Sequence, residues 1–239
     1  MMTVMTVAAH TDKHQNIYDL RLGWSVGGTM PLGMPASIRG INAYTPQPNI
    51  QLGADVEHRI TNHWGYEVGI KVEQKDMKTD AKVKTYHMNM VKAGESIEGY
   101  FTGNVVSEAR LWQVAVPVMA AWRPTEKLKV KTGPYAALAF LKRFEGYAYD
   151  GYLRQDTPTG PRIDLGNTAE ERGEYDFRND IRTLHWGVDM GVDYSLTNHW
   201  GLYADVTLGL NGAFKSSFKT IEQTMQPIFG TIGVVYSIK

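Results

Sequence analysis

Residues 50–73 read IQLGADVEHRITNHWGYEVGIKVE. The middle of that stretch, Thr61-Asn62-His63-Trp64-Gly65, recurs unchanged as Thr197-Asn198-His199-Trp200-Gly201. Each copy follows an alternating apolar/polar run, ending in Ile60 or Leu196, and precedes another, 66–73 or 202–210. A Thr-Asn pair between two period-2 runs reads as a tight hairpin turn, with Asn supplying the positive-φ backbone such turns use. The two copies therefore predict two equivalent hairpins at one rim of one sheet.

Working outward, the same alternation recurs. In 18–27, Tyr18, Leu20, Leu22, Trp24 and Val26 share a face opposite Asp19, Arg21, Gly23, Ser25 and Gly27. Ile50, Leu52, Ala54 and Val56 oppose Gln51, Gly53, Asp55, Glu57 and Arg59. After the first turn, Trp64, Tyr66, Val68, Ile70 and Val72 oppose Gly65, Glu67, Gly69, Lys71 and Glu73. Later runs put Trp112, Val114, Val116, Val118, Ala120 and Trp122 on one face. Val130, Pro134, Ala136, Leu138 and Phe140 oppose Lys129, Lys131, Gly133 and Tyr135. Next, Leu184, Trp186, Val188, Met190, Val192 and Tyr194 oppose His185, Gly187, Asp189, Gly191 and Asp193. Trp200, Leu202, Ala204, Val206 and Leu208 oppose Gly201, Tyr203, Asp205, Thr207 and Gly209, and Ile228, Ile232, Val234, Tyr236 and Ile238 share a final face. Pro117 and Pro134 remove ladder donors and predict bulges or local breaks in pairing.

This makes eight runs of about ten residues, the length of a tilted membrane strand. Connections alternate: short near 61–62, 124–126 and 197–198, long near 28–47, 74–107, 142–179 and 211–225. Within 74–107, the pieces 81–90 and 98–106 have no face apolar enough for lipid, since Lys82 and Lys84 share a face with Tyr86 and Met88. They predict a hairpin carrying the neighbouring strands into water. The fold class is all-β: an eight-stranded antiparallel up-and-down barrel over 17–239, short turns at one end and long loops at the other. Residues 1–16 form a separate N-terminal segment. Within it, 1–9 are almost uncharged and end Val7-Ala8-Ala9, like the remnant of a signal peptide, the alternative being a disordered terminus.

Such a meander can be a soluble lipocalin-like carrier, apolar inside, or a membrane barrel, apolar outside. Most strand glycines fall on the polar face, which suits a crowded, strongly curved interior. The large aromatics of the apolar face band at strand ends: Tyr18, Trp64, Tyr66, Trp122, Tyr194, Trp200 and Tyr236 at the short-turn rim, with Trp24, Trp112 and Phe140 toward the other. Two girdles match the two interfaces of a bilayer. Charges avoid the centre of the apolar face, as lipid requires. The membrane barrel is the better fit.

Composition agrees. The 24 Gly and the 13 Tyr, 7 Phe and 6 Trp suit a curved β-sheet. With 25 acids and 25 bases there is no basic field for nucleic acid, and with no Cys there is no disulfide or thiolate site. No apolar run reaches the roughly 18–20 residues of a membrane helix, which does not exclude membrane strands.

The chain resembles the small porin-like outer-membrane barrels of the PorT-like family of Bacteroidota from about Ile17 onward. The resemblance lies in Leu22-Gly23 to Gly27, in Trp112, Pro117 and Val118, in Gly133-Pro134-Tyr135, and in the Asn-His-Trp-Gly turns. It implies the outer membrane of a Gram-negative bacterium and a role in envelope biogenesis or protein secretion. Such barrels usually end in an aromatic residue; this chain ends Tyr236-Ser237-Ile238-Lys239, leaving Tyr236 as the candidate.

The inward face carries Asp19, Asp55, Glu57, Glu67, Glu73, Asp189, Asp193 and Asp205 with Arg21, Arg59, Lys71, Lys129 and Lys131. Mixed signs favour charges paired across a filled lumen over an ion path. His63 and His199 lie in separate hairpins without a third ligand, so they read as interfacial turn residues and not as a metal site. His185 stands on the inner face as a candidate base, yet no Ser or acid makes a triad with it. Asp150, Asp156, Asp164 and Glu170 lack the ordered spacing of a calcium loop. Tyr147, Tyr149 and Tyr152 offer a contact surface for a protein or glycan. The expectation is a non-catalytic structural or interaction protein embedded in outer-membrane lipid, with no cofactor, metal or nucleic acid. The alternatives are a narrow channel, a lipid-active enzyme and the soluble carrier.

Overall fold

The computed structural model describes residues 16–31, 36–218, 220 and 224–238; the segment 1–9, read above as a signal remnant, lies outside them. Among the described residues twelve strands, not eight, join in one sheet, and every pairing among them is antiparallel. They are β1 (Asn16–Pro31), β2 (Ile38–Pro46), β3 (Asn49–Arg59), β4 (Trp64–Gln74), β5 (Met77–Lys92), β6 (Glu95–Trp122), β7 (Leu128–Gln155), β8 (Arg162–Leu165), β9 (Gly173–Asp176), β10 (Leu184–Ser195), β11 (Trp200–Gly209) and β12 (Met225–Ile238).

Eight of them pair in a ring. β1 pairs with β3, β3 with β4, β4 with β6, β6 with β7, β7 with β10, β10 with β11, β11 with β12, and β12 with β1. These eight contain the eight runs of alternation. Along them burial alternates residue by residue, the charged or glycine side facing in and the aliphatic side facing out. Leu22, Ile70, Leu138, Met190 and Ile232 are all exposed. The prolines break pairing as expected. The β4–β6 register skips from Val68↔Val118 to Lys71↔Ala115, and the β6–β7 register from Pro117↔Tyr135 to Ala120↔Thr132.

Of the other four, β5 is the first strand of the hairpin expected within 74–107, and β2, β8 and β9 come from segments expected to be loops. β2 lies within 28–47 and pairs with β5. Residues 143–155, assigned above to a long loop, instead continue β7, which carries β8 and β9 on its outer part. β6 and β7 are 28 residues each. At about 3.3 Å per residue they run on the order of 90 Å, when about 10 residues cross a bilayer. They meet at the short turn after Trp122, so the excess projects from the opposite end. There, β5 to β9 enclose a second core that includes Met88, Phe101, Phe144, Ala148, Leu153 and Tyr175. The alternation expected for 81–90 fails because a bulge between Val83 and Tyr86, with Thr85 at φ 52°, swaps the faces. Val83, Met88 and Met90 are buried, while Lys82 and Lys84 point out.

The repeated turns also differ from the expected type. Neither Asn62 nor Asn198 adopts positive φ. Four residues separate β3 from β4, and the Thr61 Oγ1 accepts the His63 and Trp64 N–H groups at 3.2 and 3.0 Å. Thr197 does the same for His199 and Trp200 at 3.3 and 2.9 Å. A side-chain acceptor closes the turn without a left-handed residue. Thr197→Ala removes that acceptor from two amides. It should cost about 1 kcal/mol, because water partly replaces the hydroxyl at an exposed turn. Equilibrium unfolding in urea checks this; an unchanged midpoint would mean the turn is held by its strands alone.

Candidate functional site

The interior of the ring is an ionic lattice. Arg21 on β1 reaches Asp193 on β10, three strands away round the ring, with 2.7 and 3.0 Å contacts, and also bonds Asp55 on β3. Lys129 on β7 lies 2.7 Å from Glu67, 2.9 Å from Asp193 and 3.2 Å from both Asp19 and Glu57. Lys131 joins Glu67 at 3.3 Å and Asp193 and Asp205 at 3.6 Å. Farther from the short turns, Lys71 on β4 spans to Asp189 at 2.7 Å. Arg21–Asp55 and the Asp193 contacts of Lys129 and Lys131 join neighbouring strands, but the other pairs connect strands that are not neighbours, so these side chains reach across the ring.

Of the thirteen inward charges named from sequence, all but Arg59 are buried. Two further cations were missed. Arg123, assigned to a short turn, folds back to bond Glu57 through Nε at 2.9 Å. Lys75 enters beside Glu73 at 3.1 Å and lies over the rings of Tyr135 and Phe229. Their long stems let charges at strand ends reach inward, which period-2 counting does not register. Gln113, bonded to Glu73 at 2.6 Å, and Tyr203, under the Arg21 guanidinium, also lie in the interior.

The glycine side of the strands fits this filling. A Cβ at Gly69 would collide with the Asp55 carboxylate, and one at Gly191 with the Asp205 carboxylate. Among the described residues, the group of three acids that could together hold a metal ion is Asp19, Glu57 and Glu67, with oxygens within 4.8 Å of one another. The Lys129 ammonium already contacts all three.

His63 and His199 sit in separate turns, each tied to the end of a neighbouring strand. The His63 Nδ1–H donates to the Arg123 carbonyl at 2.8 Å, and the His199 Nδ1–H to that of Ser237 at 2.9 Å. Backbone N–H groups of Arg123 and Ser237 return the bond at 2.7 Å. His185 is buried; its Nε2–H donates to the Arg182 carbonyl at 3.0 Å, and no hydroxyl or carboxylate bonds it among the described residues.

The named aromatics occupy the outer face at both ends of the ring. Trp64 stacks on Trp122 with centroids 6.2 Å apart, and Trp200 meets Tyr236 edge-on at 4.9 Å. Tyr18, Trp24, Tyr66 and Tyr194 are exposed, and Trp112 is half-buried against Phe140.

The structure does not gather Asp150, Asp156, Asp164 and Glu170 into one cluster; Asp164 pairs with Arg162 at 2.6 Å. Nor do the three tyrosines form a free surface. Arg172 covers Tyr147 and Arg162 covers Tyr152, each at 4.4 Å. The Tyr149 hydroxyl donates to Asp80 at 2.7 Å, and that carboxylate pushes its pKa up to about 12. Asp80→Asn should return this phenol toward the ordinary value near 10, read by ultraviolet titration; an unmoved titration would deny the bond. Asp176 is held below the usual carboxylate range by the Arg178 guanidinium.

A ring of antiparallel strands, aliphatic outside with aromatic ends and ionic within, defines an outer-membrane type of β protein. A model of the outer membrane protein beta-barrel domain matches residues 12–215, and the chain belongs to that family. It is an outer-membrane protein, which removes the soluble-carrier alternative. Solved structures to which it is similar include Ail, the attachment invasion locus protein of Yersinia pestis, at 7% identity, covering 94% of this chain and 99% of that one, TM-score 0.40. Neisserial surface protein A gives 11% identity, 93% and 97% coverage, TM-score 0.38. OprG of Pseudomonas aeruginosa gives 14%, 94% and 97%, and 0.33. No curated protein sequence matches the chain.

Proposed function

We propose that the eight ring strands are a closed, up-and-down transmembrane barrel. It serves as a non-catalytic, non-conducting scaffold that holds the outer parts of β2 and β5–β9 above the membrane for recognition. The observation that carries this is the interior lattice: Arg21, Lys129 and Lys131 each contact carboxylates on strands that are not their neighbours. In this reading the Thr-Asn-His-Trp-Gly turns face the periplasm. The β5–β6 turn at Ala93-Gly94 faces outward, and the partner is a protein or glycan meeting the outer strands.

Epitope tags test the orientation. A tag at Gly94 should bind antibody on intact cells, whereas one at Asn198 should need permeabilised cells; the reverse pattern would sink the proposal. The narrower reading, a PorT-like part in envelope biogenesis or secretion, is supported by the strand motifs. Deleting the gene and comparing secreted protein with wild type tests it, unchanged secretion counting against it.

A further inference from the structure

The ring wall changes just beyond the outer aromatics. β3 begins at Asn49 and β4 ends at Gln74, but β1 continues to Pro31. The β1–β3 register stops at Ser25↔Asn49, whereas β1 stays paired with β12 through Pro31↔Met225. Among the described residues, Val26 to Pro31 therefore have a strand partner on one side only. The other side faces β2 and β5 across a cavity of about 490 Å³. Two bonds cross near it: the Tyr44 hydroxyl donates to the Gly27 carbonyl at 2.6 Å, and the Thr29 N–H to the Met77 sulfur at 3.1 Å.

We propose that this cavity is a binding site for a neutral apolar small molecule. The volume lies within the range of small-molecule sites. Met30, Met77, Met88, Val83, Phe144 and Phe177 give it an apolar lining, and among the described residues no Lys, Arg, His, Asp or Glu contributes to it. Methionines adapt to irregular ligand shapes. The polar side chains on the lining are Thr, Ser and Tyr, and three hydroxyls are already engaged: Tyr44 with the Gly27 carbonyl at 2.6 Å, and Tyr175 with Ser107 at 2.7 Å and with the Val106 carbonyl at 2.8 Å. A carboxylate or sulfate would lose its water here with no cation in exchange. A sugar would leave hydroxyls unpaired against sulfur and aromatic carbon. An uncharged chain or ring with at most one hydroxyl keeps the dispersion contacts and avoids both costs.

The site is tested on the full chain in lipid nanodiscs, with methionine methyls labelled with carbon-13 and assigned by single Met→Leu changes. The titrants are 1-dodecanol and, at alkaline pH, dodecanoate. Dodecanol should shift the Met77 and Met88 methyls along a saturating curve. The methyl of Met190, on the outward face of β10, should drift without saturation. Dodecanoate should bind weaker by roughly tenfold or more. Val83→Trp, filling the cavity, should abolish saturation; if that variant loses the native fold, Ala81→Trp takes its place. Met77 and Met88 following Met190, equal binding of dodecanoate, or saturation surviving in the filled variant would each overturn the proposal.

Discussion

Lys129→Met is expected to destabilise the barrel by about 3–5 kcal/mol, the usual cost of removing one partner from a buried ionic cluster. The ammonium is shared by Asp19, Glu57, Glu67 and Asp193, all within 3.2 Å. Methionine keeps the length of the stem but leaves those carboxylates facing one another. Arg21 and Lys131 still reach Glu67 and Asp193, so part of the lattice survives. Glu57 keeps its Arg123 partner, and Asp19 loses the most, its remaining cation being Arg21 at 3.8 Å. Urea unfolding in lipid vesicles, followed by tryptophan fluorescence, gives the number. Glu67→Gln in the same chain should recover part of the loss, because one of the opposing charges goes with it. Additive losses would mean that Lys129 and Glu67 are not coupled.

The second large effect lies on the other face. Ile70 is 53% exposed and sits near the middle of β4, between Trp64 and Gln74. In water, an exposed Ile→Arg change is nearly neutral, within about 0.5 kcal/mol. In the bilayer midplane it costs roughly 2–4 kcal/mol. Ile70→Arg should therefore unfold at a clearly lower urea midpoint than wild type. Glu95→Arg, at the outer β5–β6 turn, should not. Equal behaviour of the two variants would place the aliphatic face in water.

These expectations show how far a period-2 pattern carries. Within the ring, lipid on one side and a packed interior on the other force every second residue to be apolar. Asp55, Glu67, Lys71, Asp189 and Asp193 could therefore be assigned inward from sequence alone. Beyond the membrane that constraint ends. Residues 143–155 of β7 show no clean alternation because both faces meet either water or the outer core, so a continuous strand reads like a loop. Thr85, at φ 52°, inverts the faces of β5, and nothing in Lys-Thr-Tyr announces a bulge. The turns were located correctly but closed differently, since the Thr hydroxyl does the work assigned to Asn. The cavity at the end of β1 was invisible for a related reason. It depends on where β3 and β4 stop, and strand ends are set by tertiary pairing and not by local composition.

The central claim, an interior sealed by its own ion pairs, is tested most directly by single-channel recording of the purified protein in planar bilayers. Wild type should insert without unitary conductance steps over a wide voltage range, and Lys129→Ala combined with Arg21→Ala, if it folds, should be the first variant to show them. Regular steps from the wild-type protein would contradict the account.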